Sequence, residues 1–361
     1  MSRTPRRAPY QTARWRLALR GMLCLLLGGC SAKAEYPEPA NPGQAIPDPV
    51  PFMVSPEEAA LYIGHPDVAF IDARPGKQYA AGHLPGAVSF EWTEFRDPEA
   101  GLLDGKLDGD LGRLAEHFGS KGVGRERWAI VYGDPLSLWG EEGRIAWTLQ
   151  YLGAERVSLL DGGWTAWSQA GLPTQKGTVE REAAPFTVEV NDELLARKQD
   201  AERFAVQRDD WQTVLVDVRE PEEYRGSPGA PLYGALRGGH IPGAVNLPWR
   251  SLLQDDGRLK PRDELGELLL AKGIRPDARV ITYCTGGVRS AHTWFVLRGL
   301  GFPAVKNYAA SWWEWSLDRK LAAESGGQRP LPDAPPWPPV DEAAPPEDEA
   351  TPSEDEAATP E

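Results

Sequence analysis

The octapeptide Tyr283-Cys284-Thr285-Gly286-Gly287-Val288-Arg289-Ser290 puts a thiol, two glycines and a cation within six residues. It follows the β-rich run Val280-Ile281-Thr282-Tyr283 and precedes a segment in which Ala291, Trp294, Phe295 and Leu297 recur at helical spacing. A loop leaving a strand and entering a helix aims several backbone N–H groups at one point. Gly286 and Gly287 allow backbone conformations that other residues resist, so a concave nest of donors can form. The helix dipole adds about half a positive charge at that end, and Arg289 adds a full one. Such surroundings stabilise an anion and lower a thiol from about 8.5 towards roughly 3.5–7.5. The chemistry expected of Cys284 is that of a thiolate nucleophile.

The cysteine count sharpens this expectation. The chain has three cysteines, Cys24, Cys30 and Cys284, and the first two lie in an N-terminal segment of distinct character. Arg3, Arg6, Arg7, Arg14, Arg16 and Arg20 precede the short apolar run Met22 to Leu27, and no acid occurs before Glu35. That run is far below the roughly 20 residues needed to span a bilayer, and with its basic start it describes a secretory signal over residues 1–30. Leu27-Gly28-Gly29-Cys30 resembles a bacterial lipobox, which implies lipidation at Cys30 and membrane attachment through an N-terminal lipid anchor in the cell envelope. Ser31 after the cysteine points to the outer membrane, facing the periplasm; without lipidation the chain would be secreted. Once such a signal is removed, Cys284 is the one thiol left, with no partner for an intramolecular disulfide.

Residues 31–51 are Pro-rich and read as a tether. Residues 323–361 are rich in Pro, Ala and Glu; from Asp341 onward there are nine acids and no base. That tail cannot bury enough apolar surface to offset chain entropy and is expected to be disordered. It supplies most of the net charge of −14, and so acidic a chain is not expected to bind nucleic acid.

The middle of the chain is a duplication. Ala69-Phe70-Ile71-Asp72-Ala73-Arg74 matches Val214-Leu215-Val216-Asp217-Val218-Arg219, and Gly82-His83-Leu84-Pro85-Gly86-Ala87 matches Gly239-His240-Ile241-Pro242-Gly243-Ala244. Trp128 to Tyr132 matches Arg279 to Tyr283 at an offset of 151 residues, so the counterpart of Cys284 is Gly133. Gly163-Trp164-Thr165-Ala166-Trp167 matches Ser311-Trp312-Trp313-Glu314-Trp315. Two copies are therefore expected, over residues 52–172 and 195–322, joined by a linker at 173–194; the second has an insertion from Gly226 to Arg237. Each copy alternates short apolar runs with amphipathic stretches such as Asp263 to Ala271. This predicts α/β domains, each with a mainly parallel sheet flanked by helices. In such sheets ligands bind beyond the C-terminal strand ends, where Cys284 stands.

These motifs resemble the tandem-domain rhodaneses, the thiosulfate and 3-mercaptopyruvate sulfurtransferases. The resemblance rests on Asp-x-Arg after a strand, Gly-His-[Leu/Ile]-Pro-Gly-Ala, Cys-x-x-Gly-Val and the closing Trp-x-x-Trp, and it spans roughly residues 52–322. It implies two five-stranded domains, the first without catalysis and the second bearing the active cysteine. By the same resemblance Cys284 takes sulfane sulfur from a small anionic donor, forms a persulfide and passes the sulfur to cyanide or a thiol; the sequence shows no metal or nucleotide motif, so no cofactor and no metal are expected. Thr285, Gly286, Gly287, Val288, Arg289 and Ser290 would form the anion-binding loop, and Asp217 and Arg219 would hold its architecture. His83 and His240 occur in both copies and are expected to be structural, as are the Trp164/Trp167 and Trp312/Trp315 pairs.

The loop matches neither the Cys-Arg-Lys-Gly-Val of many thiosulfate enzymes nor the Cys-Gly-[Ser/Thr]-Gly-Val of mercaptopyruvate enzymes. Glu223 also stands where many thiosulfate enzymes have an arginine before tyrosine. Arg289 favours thiosulfate; 3-mercaptopyruvate, or a non-enzymatic persulfide carrier or redox sensor, is the alternative. Related phosphatases place five residues between cysteine and arginine, whereas four stand here, which suits a single sulfur better than a phosphoryl group.

Overall fold

The computed structural model describes residues 33–34, 37–99, 101, 105–206 and 212–327. Cys30, the signal segment and nearly all of the acidic tail lie outside them. Among the described residues no helix is long and apolar enough to cross a membrane.

The first copy forms a parallel sheet of β1 (Met53–Val54), β2 (Val68–Asp72), β3 (Val88–Ser89), β4 (Trp128–Tyr132) and β5 (Val157–Leu160) in the order β1-β5-β4-β2-β3. The second copy forms another from β6 (Leu195–Ala196), β7 (Thr213–Asp217), β8 (Val245–Asn246), β9 (Arg279–Tyr283) and β10 (Ala304–Tyr308). Its order, β6-β10-β9-β7-β8, repeats the first strand for strand. The duplicated sequence thus becomes a duplicated α/β fold.

Side-chain alternation shows how the copies join. Along β2, Val68 and Phe70 point into a cluster private to the first copy, while Ala69 and Ile71 point into a core that also holds Val214, Val216 and Val280 of the second. On the far face of the second sheet, Leu215, Ile281 and Tyr283 line a private cluster. The shared core is built around two helices, α1 (Glu141–Tyr151) and α2 (Arg289–Gly299), which pack on each other. Trp147 on α1 and Trp294 on α2 are fully buried there, and removing each such side chain from water is worth about 1.5–3 kcal/mol. The helices touch at Gly143, where a Cβ would lie 2.3 Å from the Cα of His292. One apolar core therefore holds the two copies together.

Candidate active site

Cys284 follows β9 directly, and α2 begins at Arg289. α2 has no side-chain cap at its start, which leaves its first backbone N–H groups for another acceptor. The Cys284 sulfur takes that place. The Gly287 N–H donates to Sγ at 3.1 Å, and the Ser290 hydroxyl lies 3.7 Å from it. Burial pushes the thiol's pKa up; the Arg289 charge, the Ser290 N–H and hydroxyl and the Gly286 N–H outweigh that, and the net shift is downward. Cys284 is a free thiol only 1% exposed.

The two glycines do different work. Gly287 sits at φ +80°, the left-handed region that favours glycine. Gly286 is required for space, because a Cβ there would fall 2.1 Å from the Trp313 ring. A residue that sequence reasoning missed supports the same turn. Ser311 holds φ +55° without being glycine, accepts the Cys284 N–H at 3.1 Å and donates to the Tyr308 carbonyl. The signal was present in the repeat: Ser311 stands where the first copy has Gly163, whose φ is +56°. Both copies share the left-handed turn, and the hydroxyl on it stands in the cysteine-bearing copy alone.

The expectation for Arg289 needs correction. Its guanidinium donates to both Glu223 oxygens, at 2.7 and 3.0 Å, with Thr285 Oγ1 bridging the pair. Arg289 and Glu223 are both almost wholly buried. The cation still acts on the sulfur, but a carboxylate offsets it before it can draw anions from solution. Glu223 is thus more than a missing arginine; it is the partner of the loop's own.

Asp217 and Arg219 form a buried ion pair at the end of β7. Arg219 donates to both Asp217 oxygens and to the Gly239 carbonyl, and its guanidinium lies over the Trp312 ring. Asp72, Arg74, Gly82 and Trp164 repeat the arrangement in the first copy. His83 and His240 each stack on a tyrosine and bond its carbonyl, Tyr79 and Tyr224 respectively. Shared by both copies, these features are structural.

A cavity of about 140 Å³ opens onto Cys284 and is lined in part by Trp92, Trp139 and Glu141 of the first copy. The first copy also reaches beneath the loop: Arg144 on α1 donates to the Gly287 carbonyl at 3.3 Å and to that of Gly105 at 2.6 Å. In return, His292 on α2 approaches the first copy's own strand end, 3.7 Å from Glu142. There the Glu142 carboxyl lies 2.0 Å from where a Cβ on Gly133 would be. The counterpart site has no thiol, and the Glu142 carboxyl stands where a cysteine Cβ would go.

The sequence comparisons agree with this geometry. The rhodanese-like domain family model matches residues 55–170 and again 200–318. The chain is 36% identical over 244 residues to the sulfur carrier protein TtuD of Thermus thermophilus, covering 66% of this chain and 83% of that one. It is 34% identical over 297 residues to a thiosulfate sulfurtransferase of Corynebacterium glutamicum, covering 80% and 95%. The solved 3-mercaptopyruvate sulfotransferase SseA of Escherichia coli superposes with a TM-score of 0.63 at 29% identity, covering 73% and 99%. The two sheets, the loop at the second strand end and these matches define a tandem-domain sulfurtransferase. The chain belongs to the rhodanese family.

Proposed function

We propose that the chain is a thiosulfate sulfurtransferase working through a persulfide on Cys284. The Cys284 thiolate attacks the outer sulfur of thiosulfate; the S–S bond of the donor breaks and sulfite leaves with the electron pair. The terminal sulfur of the persulfide is then taken by cyanide, giving thiocyanate, or by a thiol, and Cys284 returns as thiolate. The observation that carries this reading is a buried thiol at a strand end that accepts the Gly287 N–H at 3.1 Å and is shifted towards its anion by the Arg289 charge and the Ser290 N–H and hydroxyl. The same donors would hold the anionic persulfide and the charge that develops during transfer.

One observation favours 3-mercaptopyruvate as donor instead. Arg289 is the one cation among the described lining residues, and Glu223 already binds it, so a dianion gains less there than an unpaired arginine would offer. Steady-state production of thiocyanate from cyanide with each donor separates the readings. Turnover with neither donor would leave a slow persulfide carrier and remove the enzyme. The run ending at Cys30 supports attachment to the cell envelope by a lipid, which labelling of the full chain with a fatty-acid analogue tests.

A further inference from the structure

The cavity over Cys284 has walls that neither thiosulfate nor cyanide needs. Four aromatic side chains line it: Trp92 and Trp139 from the first copy, Tyr233 from the insertion of the second, and Trp313 beside the loop. Two of these elements have no equivalent in the other copy. The insertion from Gly226 to Arg237 is absent from the first. The loop from Gly133 to α1 has seven intervening residues (134–140) against four (285–288) after Cys284, and Trp139 is carried in that longer loop. Both additions converge over the thiol, where the Trp139 and Tyr233 rings meet edge to face at 5.4 Å.

The walls are fixed and mostly apolar. The Trp313 indole N–H donates to the Tyr233 carbonyl at 2.9 Å, and the Trp139 backbone N–H donates to the Glu141 carboxyl at 2.7 Å. Arg289 lies 5.1 Å from the Trp139 ring and 5.9 Å from that of Tyr233, with its hydrogen bonds turned to Glu223. Arg289 is thus engaged by Glu223 and the Glu141 carboxyl by the Trp139 backbone, and aromatic rings make up much of the remaining lining. The volume of about 140 Å³ is close to the roughly 150 Å³ at which an apolar protein cavity admits a benzene molecule. Small polar anions gain nothing from such walls, so the walls serve the second substrate.

We propose that the sulfur acceptor is a low-molecular-weight thiol carrying a single aromatic ring, and that Trp139, Tyr233 and Trp313 determine that specificity. This rests on the persulfide reading above. The acceptor thiolate attacks the outer sulfur of the Cys284 persulfide and forms the new S–S bond. The bond to Cys284 breaks with its electron pair on Cys284, releasing the acceptor persulfide and the thiolate, with no oxidant or reductant consumed.

The test charges the full-length chain with thiosulfate and measures how fast 2-phenylethanethiol and ethanethiol, alkyl thiols of like acidity, discharge the persulfide. The ring is expected to gain about tenfold in the second-order rate constant, the size of one good aromatic contact. The ratio should fall towards one in Trp139→Ala and in Trp313→Leu. Tyr233→Leu, at a half-exposed position, gives a smaller fall and guards against variants that do not fold. A ratio near one in the wild type, or an undiminished ratio in all folded variants, overturns the proposal. If the wild type never charges with sulfur, the sulfurtransferase reading falls with it; if it charges but shows no preference, the acceptor inference alone fails.

Discussion

Two strand ends of one fold, those of β4 and β9, have been put to opposite uses. After β9 the chain turns in four residues, so the Gly287 N–H, the Ser290 N–H in the first turn of α2 and the Arg289 charge act on one sulfur. After β4 it takes seven, Gly133 replaces the cysteine, and the Glu142 carboxyl fills the space. The electrostatics invert as well. Burial and the neighbouring Glu141 raise Glu142 to about 8, and burial lowers His292 to about 4, so around neutral pH these two groups are largely uncharged. The first copy carries no thiol at its strand end, yet it sends Arg144 beneath the Cys284 loop and Trp139 into the wall of the cavity above it.

The largest effect should come from the nucleophile. Cys284→Ser is expected to lower thiocyanate formation by about 10⁴-fold or more, as loss of a covalent nucleophile does. Gly133→Cys in that background should restore nothing, because Glu142 occupies the site; measurable turnover from it would break the comparison. Arg144→Met should come next. Loss of a buried charged hydrogen bond to the loop costs about 1.5–3 kcal/mol, roughly 10- to 150-fold in kcat, with the pH profile displaced upward and Arg144→Lys partly rescuing. An unchanged kcat and pH profile in a folded Arg144→Met protein would remove the first copy from the mechanism.

A smaller change is expected from Ser290→Ala. Its hydroxyl helps to lower the thiol's pKa, so without it the pH dependence of persulfide formation should move to higher pH. Rates in wild type should fall on acidification as the thiolate is protonated. Stopped-flow measurements across pH test both. Glu142→Gln gives the mildest effect, one on stability. The folded pKa of about 8 lies above the ordinary 4.5, so the contribution of Glu142 is full below pH 4.5 and is lost as pH rises through about 8. The wild-type melting temperature should therefore drop towards pH 9, and the glutamine variant should flatten that drop. His292 works the other way: its folded pKa of about 4 lies below 6.5, and stability is lost as pH falls from 6.5 through 4.

What could be read from the sequence divides along the same line. The duplication, the parallel sheets and the Cys284 loop were legible because each is written in contiguous residues. Periodicity gives the strands, and glycine next to a thiol gives the turn. Contacts between copies were not legible. Arg144 reaches Gly287 across 143 positions, and no spacing rule links Trp139 to Tyr233. The pairing of Arg289 with Glu223 spans 66 positions; Glu223 stands out in the sequence as an unusual residue, but its direction in space is set by the fold. Gly286 was assigned to backbone freedom when the reason is the Trp313 ring.

Sulfur transfer by this route requires sulfur to reside at Cys284 between two half-reactions. Mass analysis of the intact full-length chain after incubation with thiosulfate, followed by mapping of the Cys284 peptide, tests this most directly. The prediction is a gain of one sulfur atom on that peptide, absent in Cys284→Ser, and its loss as one thiocyanate when cyanide is added. An unmodified Cys284 peptide in a protein that still turns over, or a gain that survives Cys284→Ser, would contradict it.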